Sequence, residues 1–95
     1  MTEKLPEKLE NSIAILGSGA WANTLAFLLG QNHYIVLWDH DTSRVRRTIK
    51  TRRFKKPITQ KYPDNVKITN DLTDVLRCQV IINAVSLKGM AEVFG

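Results

Sequence analysis

The sequence predicts an α/β domain built on a partial, doubly wound parallel sheet of about four strands in the order 3-2-1-4. Three observations carry that expectation. Two short unbroken apolar runs, at 13–16 and 34–38, have the character of strands buried on both faces. Between them lies an apolar-periodic stretch long enough for a helix and no hairpin signal, so the two strands run parallel through a crossover. The junction between the first strand and that helix is Gly17-Ser18-Gly19, a tight turn where such domains bind their ligands.

The elements follow in order. Residues 1–11 mix Lys, Glu and Pro6 with isolated Leu5 and Leu9, the composition of a flexible tail. Ile13, Ala14, Ile15 and Leu16 form the first strand, ended by Gly17. Residues 20–31 form the first helix, with Leu25 and Leu29 on one face and Gly30 and Asn32 as its stop. The second strand, 34–38, is rich in β-formers and ends at Asp39. A weaker helix spans about 42–51, with Val45 and Ile49 as its apolar pair and Asp41 or Thr42 as its cap. Residues 66–69 give a third strand, and Asn70 or Asp71 caps a short helix whose apolar residues are Leu72, Val75 and Leu76. The run Val80, Ile81, Ile82, Asn83, Ala84, Val85 is the fourth strand, and another helix begins at Lys88. The expected organisation is a tail over 1–11 and a partial nucleotide-binding domain over 12–95.

The densest functional signal is Gly17, Ser18, Gly19, Ala20, Trp21, Ala22, a G-x-G-x-x-G/A pattern between strand and helix. A dinucleotide's pyrophosphate needs a tight turn at the first glycine and a side-chain-free approach at the second. A small third residue then lets helix and strand pack closely. The helix N-terminus presents backbone N–H groups and a positive dipole end, so no charged side chain is needed. Asp39 lies 22 residues after Gly17, at the tip of the second strand, where a carboxylate accepts adenosine ribose hydroxyls. His40, Arg44, Arg46 and Arg47 follow it as alternative partners for a 2′-phosphate, so both NAD and NADP stay open as cofactor. These features make the domain Rossmann-like.

Four stretches, I-L-G-S-G-A-W-A-N-T-L-A, I-V-L-W-D-H-D, Y-P-D-N-V-K-I-T-N-D-L and V-I-I-N-A-V-S-L-K-G-M, together resemble the start of the NAD(P)-dependent glycerol-3-phosphate dehydrogenases. The most specific parts are Trp21 in the glycine turn and the residues from Leu37 to Asp41. The resemblance implies cofactor contacts at Ala20, Trp21 and His40. It also implies a reversible hydride transfer between NAD(P)H and dihydroxyacetone phosphate, and a role in glycerol phosphate metabolism and phospholipid biosynthesis. Ala20 stands where a serine is common, Ala22 where the third glycine is usual, and Ser86 where a proline is frequent. The loop from Phe54 to Lys61 lacks the usual Leu-Pro-Gly turn. The family's general base and glycerol-phosphate groups belong to a later substrate domain absent from these 95 residues. No catalytic residue is therefore assigned, and the expectation is a fragment that is inactive alone. Ser86, after the fourth strand, is expected to flank the nicotinamide side.

The remaining features bound the alternatives. Nine basic residues and no acid lie between Arg44 and Lys61, within a chain of formal charge +5. Such a patch supports salt-dependent nucleic-acid binding, but only Phe54 and Tyr62 are available to stack bases, so nucleic acid is the disfavoured partner. The rival readings are a basic nucleic-acid module and a non-functional truncated remnant. His33 and His40 lack a third ligand at useful spacing, so no metal site is expected. A single cysteine, Cys78, and the lack of an apolar run near 18 residues point to a cytoplasmic chain without a membrane span. With no later strand beside it, the fourth strand is an edge that is expected to pair with a second copy, giving a homo-oligomer.

Overall fold

The computed structural model describes residues 9–85. Its central sheet holds β1 (Ser12–Leu16), β2 (Tyr34–Trp38), β5 (Val66–Thr69) and β6 (Val80–Asn83), in the order β5-β2-β1-β6 and all parallel. Counted along the chain, that is the predicted order 3-2-1-4. Leu16 lies opposite both Trp38 and Asn83, and Trp38 opposite Thr69, so the carboxyl ends of all four strands meet along one edge.

The connections cover both faces of the sheet. Ile15, Ile35 and Leu37 pack with Ala22 and Ala26 of α1 (Ala20–Leu29) and Val45 of α2 (Thr42–Thr51). Their neighbours in the strands, Ala14, Val36 and Trp38, point the other way, onto Val75 of α3 (Leu72–Leu76) and Cys78. This period-2 division explains why the strands read as continuous apolar runs, since each face has its own cover. Cys78, between α3 and β6, is a buried member of the second core.

Several boundaries differ from expectation. The first helix stops at Leu29 because Gly30 closes it, its N–H donating to the Ala26 carbonyl. The fourth strand ends at Asn83, although Ala84 still donates to the Leu16 carbonyl. Ile49, Leu72 and Leu76 are exposed, and each short helix buries a single apolar anchor, Val45 or Val75. Asp41 caps α2 by accepting from the Arg44 N–H, and Asp71 caps α3 by accepting from the Thr73 N–H. Residues 9–11, placed in the tail by sequence, are tied to the domain. Leu9 N–H donates to the Arg77 carbonyl, and Asn11 bonds Gln79 Oε1 and the Asn32 carbonyl. The rest of the expected tail, Ser86 and the helix from Lys88 lie outside the described residues.

A second sheet had no sequence signal. β3 (Arg53–Phe54) and β4 (Gln60–Lys61) form an antiparallel two-stranded ribbon between α2 and β5. Phe54 and Tyr62 are its buried feet, with ring centroids 4.8 Å apart, and Phe54 meets Phe27 of α1 edge to face. Arg52 ends α2 in the left-handed region at φ 56° and donates to the carbonyls of Val66 and Pro63 at 2.6 and 2.8 Å.

Candidate functional site

The site is built at the carboxyl edge of the sheet, at β1, from which the strand order runs to β2 and β5 on one side and to β6 on the other. Such a division point is where open α/β sheets take ligands. Gly17 donates to the Trp38 carbonyl at 2.8 Å and turns with φ 129°, a conformation that L side chains rarely adopt. A Cβ there would lie 3.0 Å from the Ala84 carbonyl oxygen. The fold itself therefore demands this glycine.

Gly19 answers to a different requirement. Its backbone is extended, at φ −81°, and among the described residues nothing lies within 4 Å of where its Cβ would be. Neither strain nor packing excludes a side chain there, so the open space beside Gly19 fits a group that approaches from outside. Gly19 is also the N-cap of α1, with no side-chain cap and no acid in the first turn. The first helical bond runs from Asn23 N–H to the Gly19 carbonyl, so the earlier N–H groups have no partner within the helix. The turn thus offers donors and the positive end of a dipole to an anion. Ala22 is fully buried against the sheet, the close packing expected of the third position. Ala20 lies exposed on the first turn, and Trp21 beside it is 62% exposed, a large apolar surface next to the glycines.

Asp39 and Arg44, which the sequence set against each other, are joined. Asp39 Oδ2 accepts from Arg44 Nε, and Oδ1 accepts from Arg44 Nη2 and from the Asp41 backbone N–H, both at 3.2 Å. His40 Nδ1 lies 3.5 Å from Oδ1. Burial pushes the Asp39 carboxyl up. The bonds from Arg44 and Asp41, the Arg44 charge and the Ser18 hydroxyl outweigh it and hold the acid below its ordinary value.

A cavity of about 530 Å³ runs from Ser18 and Gly19 past Asp39 to α2 and the ribbon. Among the described residues, Arg44, Arg47, Lys50, Arg53, Lys55 and Lys56 line it against one acid, Asp39. The basic run is therefore folded around the end of the glycine turn. Phe54 and Tyr62 are buried beneath it and present no face on which a base could stack. Arg52, grouped with the patch by sequence, is committed to backbone carbonyls instead.

Sequence reading missed the residue that joins turn and ribbon. Asn23 is buried in α1; its amide donates to the carbonyls of Ser18 and Lys56, and its oxygen accepts from the Tyr62 hydroxyl. The available signal was an amide at a core-facing position of an apolar helix, which needs partners when buried. Burial pushes the Tyr62 phenol far up, so it stays a donor throughout the physiological range. Among the described residues there is no group of three or more His, Cys, Asp or Glu able to hold a metal. No helix among them is long and apolar enough to cross a membrane.

The family described as NAD-dependent glycerol-3-phosphate dehydrogenase N-terminus matches residues 12–95. Similar proteins include glycerol-3-phosphate dehydrogenase (NAD(P)+) of Rhodopseudomonas palustris strain HaA2, 29% identical over 87% of this chain and 26% of that protein. The enzyme of the same name from Thermoanaerobacter sp. strain X514 is 30% identical over 85% of this chain and 25% of its own length. That of Roseobacter denitrificans is 33% identical over 85% and 26%. The chain spans about a quarter of the length of these relatives.

Proposed function

The chain belongs to the family of NAD-dependent glycerol-3-phosphate dehydrogenase N-termini, and on that premise we propose that it is the dinucleotide-binding part of such an enzyme. The family implies NAD or NADP as cofactor. The reaction we assign to the enzyme is the reversible reduction of dihydroxyacetone phosphate to glycerol 3-phosphate, with the bound dinucleotide supplying the hydride. The 95 residues described by this sequence contribute binding and orientation, and alone they are catalytically silent.

In this reading the pyrophosphate lies over Gly19, against the backbone N–H groups of Ala20 and Trp21, and Gly17 holds the turn that aims them. The exposed Trp21 ring screens that position from water. Asp39, His40 and Arg44 lie at the adenosine end. The buried thiol of Cys78 suits the reducing cytoplasm, where we place the chain. The side of β6 that carries no paired strand among the described residues is proposed to pair with the same strand of a second copy, and Val80 and Ile81 are 51% and 49% exposed there.

The open space beside Gly19 carries this reading, since the protein does not use it. Titration of the chain with NADH and NADPH, followed by tryptophan fluorescence, tests it. Trp21 is exposed at the site and Trp38 is buried in the second core, so quenching of the exposed component is expected. Gly19→Val has room to fold and is expected to keep the unfolding midpoint while abolishing the quenching. Binding that survives this substitution would remove the pyrophosphate from Gly19.

A further inference from the structure

A strand-end acid favours a free ribose only if its oxygens are open to the hydroxyls. Asp39 does not meet that condition: it is 5% exposed, and both oxygens already accept hydrogen bonds, two of them from the Arg44 guanidinium. Arg44, in turn, is held in one orientation by this two-point contact while 43% of its side chain remains exposed. Its guanidinium also lies 3.9 Å from Asp41 Oδ2, and the residue lines the same cavity as Gly19 and Arg47.

We propose that Asp39 is a positioning residue for Arg44 and not a ribose acceptor, and that the Arg44 so held makes this site select a dinucleotide bearing a 2′-phosphate. The proposal rests on the reading of the site as a dinucleotide site. The physical steps are few. Pairing cancels the repulsion an acid would otherwise direct at a 2′-phosphate. The bidentate contact fixes the long arginine side chain before the ligand arrives, which lowers the entropy lost on binding. Arg47 adds a second positive group in the same cavity, and among the described residues no other acid lines it.

The sign of one substitution separates this from the usual role of such an acid. If Asp39 repels the phosphate, Asp39→Asn raises affinity for NADPH; if it anchors Arg44, the same change lowers it. Titration of the full chain at fixed ionic strength is expected to show NADPH bound about tenfold or more tighter than NADH. Arg44→Gln is expected to bring the ratio near one, with NADH binding kept or improved as the acid is released. Asp39→Asn is expected to lower NADPH affinity several-fold with little change for NADH. Arg46, offered by the sequence as a 2′-phosphate partner, is not among the residues that line the cavity; Arg46→Gln therefore removes the same charge outside the site and is expected to leave the ratio unchanged.

Tighter NADH binding by the native chain would overturn the proposal, as would a gain in NADPH affinity on Asp39→Asn. An equal loss of the ratio in Arg46→Gln would assign the preference to the general field of the basic run and overturn it too. Should Asp39→Asn fail to fold, Arg44→Gln against Arg46→Gln decides alone. No binding of either dinucleotide is a different failure, that of the dinucleotide reading itself.

Discussion

Replacing Gly17 by alanine forces a Cβ to 3.0 Å from the Ala84 carbonyl oxygen at a φ of 129°. We expect Gly17→Ala to cost about 2–4 kcal/mol of stability, read from urea unfolding, where Gly19→Val costs little. The glycine pattern was legible in the sequence; its division into one glycine for the fold and one for the ligand was not, because it depends on where β6 lies. A second expectation at this scale concerns acid. Burial raises the Asp74 carboxyl, but bonds from Thr69 and Lys67 and the Lys67 and Arg77 charges outweigh it, leaving it below 3.8. Asp39 is depressed likewise. Between its folded and unfolded values a depressed acid binds fewer protons in the folded state. Its stabilisation is therefore complete above about pH 4 and is lost as pH falls through the folded value. Asp74→Asn is expected to flatten the loss of stability below pH 4 in an acid titration of the unfolding midpoint; an unchanged acid limb would contradict it.

The elements divide by how locally they are encoded. The strands of the central sheet were readable because burial on both faces leaves unbroken apolar runs, and the caps at Asp41 and Asp71 because a short acid before a helix has few other uses. The ribbon of β3 and β4 was not readable. Each strand has two residues, too few for any period, and both sit in a run of cations. Its anchors are long-range: Asn23 reaches Lys56 and Tyr62, 33 and 39 residues away. Arg52 shows the same limit, since a basic residue in a basic run gives no hint that it holds the carbonyls of Pro63 and Val66. Arg52→Ala is expected to cost about 2–4 kcal/mol, because two charge-assisted bonds are lost together. Lys at the same position, carrying the charge without the fork, should recover only part of that in the same denaturation measurement.

At the scale of the whole molecule, the sheet is asymmetric. β5 and β6 are both end strands, each hydrogen-bonded on one side only among the described residues, but β5 packs beside α2, whereas β6 leaves Val80 and Ile81 half exposed. Sequence order alone predicted this edge, because the first four strands of a doubly wound sheet end on the strand beside β1. We expect sedimentation velocity to show self-association rising over micromolar concentrations, and Ile81→Lys to abolish it without lowering the unfolding midpoint. A single monomeric species across that range would remove the edge from consideration as a contact between copies. The charge distribution is equally one-sided, and it gathers the positive field where the glycine turn opens.

The Asn23 amide has one more implication. One side chain holds the Ser18 carbonyl in the turn, the Lys56 carbonyl in the ribbon and the Tyr62 hydroxyl between them. The turn and the ribbon are thus tied to each other through one buried amide, which lines the same cavity as Gly19. Reciprocity then applies: whatever a guest on the glycines does to the rigidity of the ribbon, a change in the ribbon does in equal measure to the affinity for that guest. The least conspicuous loop of the sequence becomes a remote control on its best-marked motif.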